Sequence, residues 1–225
     1  MRERTGILLK GERLALARMV DYARWAEEDI RVQNFALAFS PFRQRIPLYL
    51  GSIKPKSIEL AGELADGVMT GALNSKRYYQ QVVYPHLAAG AERSGRDLAD
   101  VDVASLLVCA VSSDRREARE MARHEIAFYL PLESIRTVFE VNGFQREREA
   151  AVAAFRRRDT AGVLRCVTDE MVDVLTIAGT PDECREKLAS YRPYVKLPVL
   201  LPPSTHLSEA QVRCNTEMVL KTFAR

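Results

Sequence analysis

A turn with phosphate-binding chemistry follows the first strongly apolar segment of the sequence. IPLYL is an almost wholly apolar run, typical of a strand buried on both faces, and Gly51-Ser52-Ile53-Lys54 comes directly after it, where a helix is predicted to begin. The free N–H groups of a helix N-terminus, the Ser52 hydroxyl and the Lys54 ammonium can together hold a phosphate group. The alternative is an ordinary connection between strand and helix, with an exposed lysine.

A second short strand ends in small and polar residues. Met69-Thr70-Gly71 closes the run GVMTG, and in a barrel of parallel strands it faces the same mouth as the Gly51–Lys54 turn, where ligands bind. The alternative is that Met69 belongs to the core and Thr70 caps a helix. Asp66-Gly67 precedes this strand, at the opposite end of the sheet, so we expect a structural turn there rather than a catalytic carboxylate.

No side chain is identified as catalytic. His86 and His124 lie in the middle of predicted helices, and His206, after the last predicted strand, has no mapped partner and is a weak candidate base. The Tyr78-Tyr79 pair and Trp25 fit helix packing as well as ring stacking. The sequence contains no GxSxG, P-loop, HExxH or GxGxxG motif, which argues against a serine hydrolase, an NTPase, a zinc protease and a simple dinucleotide-binding fold.

The elements that position these residues alternate between short apolar runs and amphipathic helices. We predict strands in IPLYLGS, GVMTG, VDVASLLVCAVSS and KLPVLLPP, the last of them buried, and a strand or hairpin arm in IRVQNFALAF. Helices are predicted over 12–29, over 75–94 with Ser75 as N-cap, within 131–166, over 169–178, and after Asp114, Thr180 and Ser208. This alternation predicts an α/β fold with parallel strands, as in a barrel or a doubly wound sheet. Four convincing strands are fewer than the eight of a closed barrel.

Composition limits the class of protein. The chain has 225 residues, of which 47% are hydrophobic and 28% charged, as in an ordinary globular protein, and we expect a single domain over 1–225. The net charge of +3 is spread over interleaved charges of both signs, and no apolar run is long enough to span a membrane, so we expect neither nucleic-acid nor membrane partners. Four cysteines without a CxxC pair, and no secretory signal, predict a cytoplasmic protein with reduced thiols and no metal site.

The segment IPLYLGSIKPKSIELAGELADGVMTG, residues 46–71, resembles a recurring segment of the bacterial luciferase-like family, whose members are flavin- or coenzyme F-420-dependent oxidoreductases. The likeness continues through YPHLAAGAERSGRD, DVDVASLLVCAVSSD, DEMVDVLTIAGTPDECREKLASY and KLPVLLPP, and it is nearest to methylenetetrahydromethanopterin reductase-like proteins. The resemblance implies a TIM-barrel type architecture and a cofactor that is either coenzyme F-420, a deazaflavin, or FMN. It also implies cofactor contacts at Gly51, Ser52, Ile53, Lys54, Met69 and Thr70.

The chain departs from the family before Ile46, where members usually carry a longer segment and only 45 residues stand here. We therefore expect an incomplete barrel. One hypothesis is an oxidoreductase that transfers hydride between its cofactor and a small organic substrate. The other is a non-catalytic or partner-dependent barrel remnant that binds flavin or acts structurally. An unrelated α/β hydrolase or isomerase has no motif in its favour. Because an incomplete barrel leaves sheet edges and apolar faces uncovered, we expect a homo-oligomer or a companion chain.

Overall fold

The computed structural model of the protein describes residues 46–224, and these fall into two compact units. The first unit contains residues 46–69 and Pro85–Asp102, and the second contains Thr70–Tyr84 and residues 103–224. The predicted helix over 12–29, the predicted strand IRVQNFALAF and Trp25 lie outside the described residues. The expectation of a single domain over 1–225 stays a prediction.

In the first unit, two short parallel strands flank a helix. Strand β1 (Tyr49–Gly51) pairs with the start of β2 (Gly67–Thr70), with Gly51 opposite Met69, and helix α1 (Pro55–Leu64) connects them. Pro55 occupies the first turn of α1, where its missing N–H costs nothing and its fixed φ favours the helix. The apolar residues of α1 recur at helical spacing, and Ile58, Leu60 and Ala61 are fully buried.

Helices α1 and α3 (Tyr84–Arg93) approach each other so closely that two glycines are required. A Cβ atom added at Gly62 would overlap the carbonyl oxygen of Leu87, and one added at Gly90 would overlap the carbonyl oxygen of Glu59. Both obstacles are backbone atoms, which cannot move aside as a flexible side chain would. The close approach fixes α1, and therefore its N-terminus, against the neighbouring helix.

The predicted helix over 75–94 forms, but it contains a wider turn. Ser75 caps α2 (Lys76–Tyr78) by accepting the Tyr78 N–H at 3.0 Å, a π-helical turn follows over Tyr79–Val83, and α3 continues from there. The π turn comes directly before Pro85, whose ring would clash with the preceding turn of a regular α-helix and which has no N–H to donate. Pro85 thus lies inside the predicted helix, and the structure has a π turn shortly before it.

Strand β3 (Asp102–Val111), which lies in the second unit from Val103 onward, has two parallel partners. Strand β4 (Ile177–Gly179) pairs with its last three residues, and β5 (Leu197–Leu201) pairs with Ala104–Val108. The second unit also contains seven helices within the described residues: α4 (Arg115–Tyr129), α5 (Arg136–Val141), α6 (Gln145–Arg156), α7 (Thr160–Arg165), α8 (Asp169–Leu175), α9 (Pro181–Ala189) and α10 (Glu209–Phe223). Every pairing described here is parallel, which confirms the α/β class. Five strands lie within residues 46–224, fewer than a closed barrel contains.

Local capping signals predict the helix starts of this unit correctly. The Asp114 carboxylate accepts the Arg116 N–H at 2.8 Å, and the Glu183 carboxylate accepts the Thr180 N–H at 2.9 Å in a capping box. Ser208 likewise caps α10. Such signals depend on four or five consecutive residues, so they can be read without knowledge of the tertiary fold.

Two predictions about strands are wrong. The segment 169–178 is helical only to Leu175, and Ile177–Gly179 leaves the helix to pair with β3. Strand β5 is not buried: Leu197 and Val199 are 46% and 40% exposed, and Pro198 is exposed as well. An apolar sequence indicates that a strand favours burial, but other residues must be present to cover it. Among the described residues, β5 pairs with β3 alone.

No helix in the described part of the chain is both long and apolar enough to cross a lipid bilayer.

Candidate functional site

The Gly51–Lys54 turn is built on the end of β1. The Ser52 N–H donates to the carbonyl oxygen of Met69 at 2.9 Å, which ties the turn to the neighbouring strand just as β1 ends. The Lys54 N–H lies 3.3 Å from the Ser52 hydroxyl oxygen, so the serine side chain folds over the turn that leads into α1. Gly51 and Lys54 are exposed, and Ser52 and Ile53 are half-buried. The turn is therefore held in one shape while its surface stays accessible.

The N-terminus of α1 carries no anionic group of its own. Lys54 is the N-cap residue in an extended conformation, and it makes no side-chain capping hydrogen bond. The first turn of α1 contains no acidic residue, so the helix supplies no carboxylate of its own to balance the positive end of its dipole. Such a helix end attracts a negatively charged group, and the Lys54 ammonium adds a full positive charge.

Space for a ligand exists beside Gly51. A Cβ atom built there would meet no atom of residues 46–224 within 4 Å, so among these residues nothing blocks the approach of a bound group to the backbone of the turn. The serine hydroxyl, the lysine ammonium and the helix end together have the donor chemistry that a phosphate requires. These residues fit the phosphate-bearing portion of a flavin or deazaflavin cofactor.

The predicted residues of β2 differ in their surroundings. Met69 is half-buried and its carbonyl oxygen accepts the Ser52 N–H, which joins it to the turn. Thr70 is completely buried, and its hydroxyl group is occupied in hydrogen bonds inside the second unit. The role of Thr70 in cofactor binding stays a prediction. In the structure its side chain forms hydrogen bonds in the protein interior.

Thr70 belongs to a buried network of polar side chains that sequence reasoning missed. The Thr70 hydroxyl lies 2.8 Å from the Ser105 hydroxyl, and the Tyr79 hydroxyl donates to Ser105 at 2.6 Å. The Asn74 amide donates to Thr70 at 2.8 Å and also to the Gly71 carbonyl. A serine and a threonine inside otherwise apolar strands were the available signal, but only the tertiary structure identifies their partners.

Aromatic rings enclose this network from one side. The Tyr79 ring stacks on Tyr194 with 5.8 Å between centroids, and it meets Tyr191 edge to face at 6.3 Å. Burial raises the pKa of Tyr79 to about 12, so its hydroxyl stays protonated and remains a hydrogen-bond donor. The Tyr78-Tyr79 pair, for which packing and ring stacking were equally good explanations, is fully buried.

The histidines have structural partners. His86 Nδ1 lies 2.9 Å from the Glu59 carboxylate, which also receives Arg93 at 3.0 Å, so the three residues connect α1 and α3. The hydrogen bond from His86 is the main reason that the pKa of Glu59 falls below its usual value, with Arg93 contributing in the same direction. His124 and His206 lie with their ring centroids 6.4 Å apart. None of these three histidines is one of the residues predicted to contact the cofactor.

Asp66 has the structural role that the sequence predicts. Its carboxylate accepts the Leu48 N–H at 2.7 Å, and this bond closes the connection before β2. Tyr49 donates its hydroxyl hydrogen to Asp102 at 2.6 Å in the same unit, and burial together with this carboxylate raises the pKa of Tyr49 to about 12. Within residues 46–224, no group of three or more His, Cys, Asp or Glu side chains could hold a metal ion.

Comparisons with known proteins agree with the resemblance seen in the sequence. A profile of the family described as luciferase-like monooxygenase matches residues 9–194. The chain is 36% identical over 166 residues to the 5,10-methylenetetrahydromethanopterin reductase of Archaeoglobus fulgidus, which covers 72% of this chain and 48% of the relative. It is 34% identical to the protein of the same name from Methanolobus tindarius, over 64% of this chain and 44% of the relative. The chain thus spans about half the length of the curated relatives that it matches.

Solved structures confirm a TIM-barrel type of fold. The coenzyme F420-dependent tetrahydromethanopterin reductase of Methanopyrus kandleri superposes with a TM-score of 0.64 and 26% identity, covering 79% of this chain and 51% of that one. An F420-dependent secondary alcohol dehydrogenase, solved with an F420–acetone adduct, superposes with a TM-score of 0.61 at 17% identity, over 92% of this chain and 60% of that one. The second likeness is one of fold alone.

Proposed function

Because this chain belongs to the luciferase-like monooxygenase family, we propose that it is part of an oxidoreductase that binds coenzyme F420 or FMN and transfers hydride to or from a small organic substrate. The observation that carries the proposal is the accessible, uncapped N-terminus of α1, with Ser52 and Lys54 beside it. The names of the relatives and of the M. kandleri structure favour coenzyme F420 over FMN.

In this proposal the Gly51–Lys54 turn holds the phosphate-bearing part of the cofactor. Gly51 allows close approach to the backbone, Ser52 donates a hydroxyl hydrogen bond, and Lys54 supplies positive charge. Met69, on the adjacent strand, borders the bound group. The cofactor would supply the hydride chemistry when bound, and the protein would bind and orient it.

A second candidate function is cofactor binding without turnover. It is favoured by the length of the match, since the chain spans about half of its curated relatives and no catalytic side chain is identified among residues 46–224. The two functions differ in whether the bound cofactor reacts with a substrate, so binding and turnover must be measured separately.

Fluorescence titration of the purified protein with coenzyme F420, and separately with FMN, tests the proposal. We expect saturable binding of one cofactor. Lys54→Ala should weaken it about tenfold or more, because a charge-assisted hydrogen bond contributes roughly 1.5–3 kcal/mol. Ser52→Ala should weaken it less. Lys221→Ala, which removes an exposed lysine on α10, is the matched control and should leave the affinity unchanged.

Saturable binding that Lys54→Ala and Lys221→Ala affect equally would refute the assignment of the turn. Absence of binding of either cofactor to the folded protein would refute the proposed function. If the cofactor binds, the absorbance of its reduced form is followed after addition of methylenetetrahydromethanopterin, which would accept the hydride, and the absorbance of its oxidised form after addition of a secondary alcohol, which would donate one. Oxidation or reduction favours the oxidoreductase, and an unchanged spectrum with both favours binding without turnover.

A further inference from the structure

Two of the four cysteines lie together in the interior of the second unit. Cys109, near the end of β3, is completely buried, and Cys184, in α9, is 1% exposed. The Cys184 sulfur lies 3.6 Å from the carbonyl oxygen of Ala110, the residue that follows Cys109 in β3. The Cys109 and Cys184 thiols are hydrogen-bonded to each other. The two sulfur atoms are therefore in contact, although they are far apart in the sequence.

Regular secondary structure fixes both side chains in place. Cys109 is paired with Ile177 of β4, and α9 begins shortly after β4 ends at Gly179. Cys184 lies in the first turn of α9, where its N–H donates to the carbonyl oxygen of Thr180 at 2.9 Å. The first turn of α9 is thus held beside the strand that carries Cys109, so the contact between the thiols is set by strand pairing and a helix start.

The two thiols differ in acidity. The hydrogen bond from Cys109 is the main reason that the pKa of Cys184 falls below its usual value, with Lys187, one turn later in α9, acting in the same direction and burial opposing it. A position in the first turn of a helix also favours a thiolate. The same hydrogen bond, together with burial, raises the pKa of Cys109. Cys184 is therefore the better nucleophile of the two.

We propose that Cys109 and Cys184 are a redox-sensitive pair that closes an intrachain disulfide when the protein meets a hydroperoxide. In the first step the Cys184 thiolate attacks an oxygen atom of hydrogen peroxide, the O–O bond breaks, and Cys184 becomes a sulfenic acid while hydroxide leaves. In the second step the Cys109 sulfur attacks the Cys184 sulfur, the S–O bond breaks, and the hydroxyl group leaves as water with the Cys109 proton. The hydroxide of the first step takes up the proton that Cys184 had released, so two thiols are oxidised and the peroxide is reduced to water.

Burial determines the class of oxidant. The pair is closed to bulky disulfide reagents, because neither side chain is more than 1% exposed, whereas hydrogen peroxide is little larger than water. Cys214 is exposed and Cys166 is half-buried, so they provide internal references for thiols of other accessibility. The disulfide would fasten the first turn of α9 to β3. This inference concerns the second unit alone and does not rest on the proposed function.

Peptide mapping of the full chain tests the proposal. Trypsin releases Cys109 in the fragment 97–115, but Cys166 and Cys184 share the fragment 166–185, so the experiment uses the Cys166→Ser protein. The folded protein is treated with hydrogen peroxide, remaining thiols are alkylated, and the digest is analysed by mass spectrometry without reduction. We expect the two fragments to be joined by a disulfide that a reducing agent removes. Amide exchange in the first turn of α9 should slow in the oxidised protein.

Single variants in the same background test the order of the two steps. Cys109→Ala should lose the disulfide and stop at a sulfenic acid on Cys184, which dimedone traps as the treated protein is unfolded. Cys184→Ala should leave Cys109 unmodified. Cys214→Ser is the matched control, since it removes an exposed thiol and should leave the yield of the disulfide unchanged. Circular dichroism establishes that each variant is folded.

The proposal would be overturned if Cys109 and Cys184 stay reduced while peroxide oxidises the exposed Cys214. A disulfide that joins either of them to Cys214 would overturn it as well. A sulfenic acid on Cys109 in the Cys184→Ala protein would refute the order of the steps. The map of the Cys166→Ser protein decides whether the disulfide forms, even where an alanine variant fails to fold.

Discussion

The contact between α1 and α3 gives a sharp prediction about stability, because a single methyl group is enough to disturb it. A Cβ atom at Gly90 would lie 2.8 Å from the carbonyl carbon of Glu59 and would overlap the oxygen of that carbonyl. Carbon atoms pack best at about 3.5–4.0 Å, so the two helices must separate by about 1 Å to admit Gly90→Ala. Gly62, the other small residue of the contact, offers no additional space, because its own Cβ position is 3.0 Å from the Leu87 carbonyl carbon.

Two opposing effects determine the magnitude. Replacing glycine by alanine inside a helix favours folding by about 1 kcal/mol. Overpacking of a closely fitted contact costs about 1–3 kcal/mol, and a clash with backbone belongs to the upper part of that range. We therefore expect Gly90→Ala to lower the free energy of unfolding by about 2 kcal/mol, which corresponds to a fall in melting temperature of about 4–8 °C for a chain of this size.

Urea and thermal unfolding followed by circular dichroism measure this effect. Gly51→Ala is the control, because it adds the same methyl group where none of the described residues has an atom within 4 Å, and its unfolding free energy should change little. A Gly90→Ala protein as stable as the original, or more stable, would show that helix propensity outweighs the clash and that the packing argument is incorrect. Because α1 carries Lys54 at its N-terminus, Gly90→Ala should also weaken cofactor binding if the proposed site is correct.

Further predictions concern the buried hydroxyl network and the dependence of the unfolding free energy on pH in the acidic range. Tyr79→Phe keeps the stacked ring but removes the hydroxyl that donates to Ser105, and it should lower the free energy of unfolding in urea by about 1–2 kcal/mol. Tyr194→Phe removes an exposed hydroxyl and should lower the free energy of unfolding by less. Equal losses of unfolding free energy in the two variants would contradict a stabilising role of the network. The pKa of Glu59 lies below its usual value of 4.5 in the folded state, so its ion pairs stabilise the protein above that pH, and this contribution is lost as the pH falls through the folded-state pKa. Glu59→Gln should therefore flatten the acid limb of the stability curve, while Glu92→Gln should leave it unchanged, and identical curves for the two variants would refute this assignment.

Features that depend on neighbouring residues in the sequence could be predicted with good accuracy. The caps at Ser75, Asp114 and Thr180 were correct because the side chain and the N–H groups that it binds lie within three residues of each other. The end of the helix predicted over 75–94 is equally local, since Gly95, the residue that follows this segment, has a φ of +66°. Apolar runs likewise located β1, β2, β3 and β5.

Features that depend on distant residues could not be predicted. The sequence of Ile177–Gly179 is compatible with the end of a helix, and only the pairing with β3 shows that it is a strand. Ser105 likewise has no distinctive sequence signal, and only the structure shows that the Tyr79 hydroxyl donates to it. The exposure of Val199 has the same origin, since composition gives the tendency to be buried but not the presence of a covering layer. At the candidate site, the sequence identified the Gly51–Lys54 turn. The structure added the hydrogen bond from the Ser52 N–H to the Met69 carbonyl oxygen, and the hydrogen bond between Thr70 and Ser105 in the interior.

The proline in β5 also bears on how the protein behaves in concentrated solution. An exposed run of aliphatic residues on a strand is a common starting point for fibril-like stacking, in which each copy of a segment donates and accepts backbone hydrogen bonds along the whole of its length. Pro198, the second residue of LPVLL, interrupts that row, because it lacks the N–H that every stacked copy would need. The strand can therefore offer its side chains for packing while resisting uncontrolled polymerisation through its backbone.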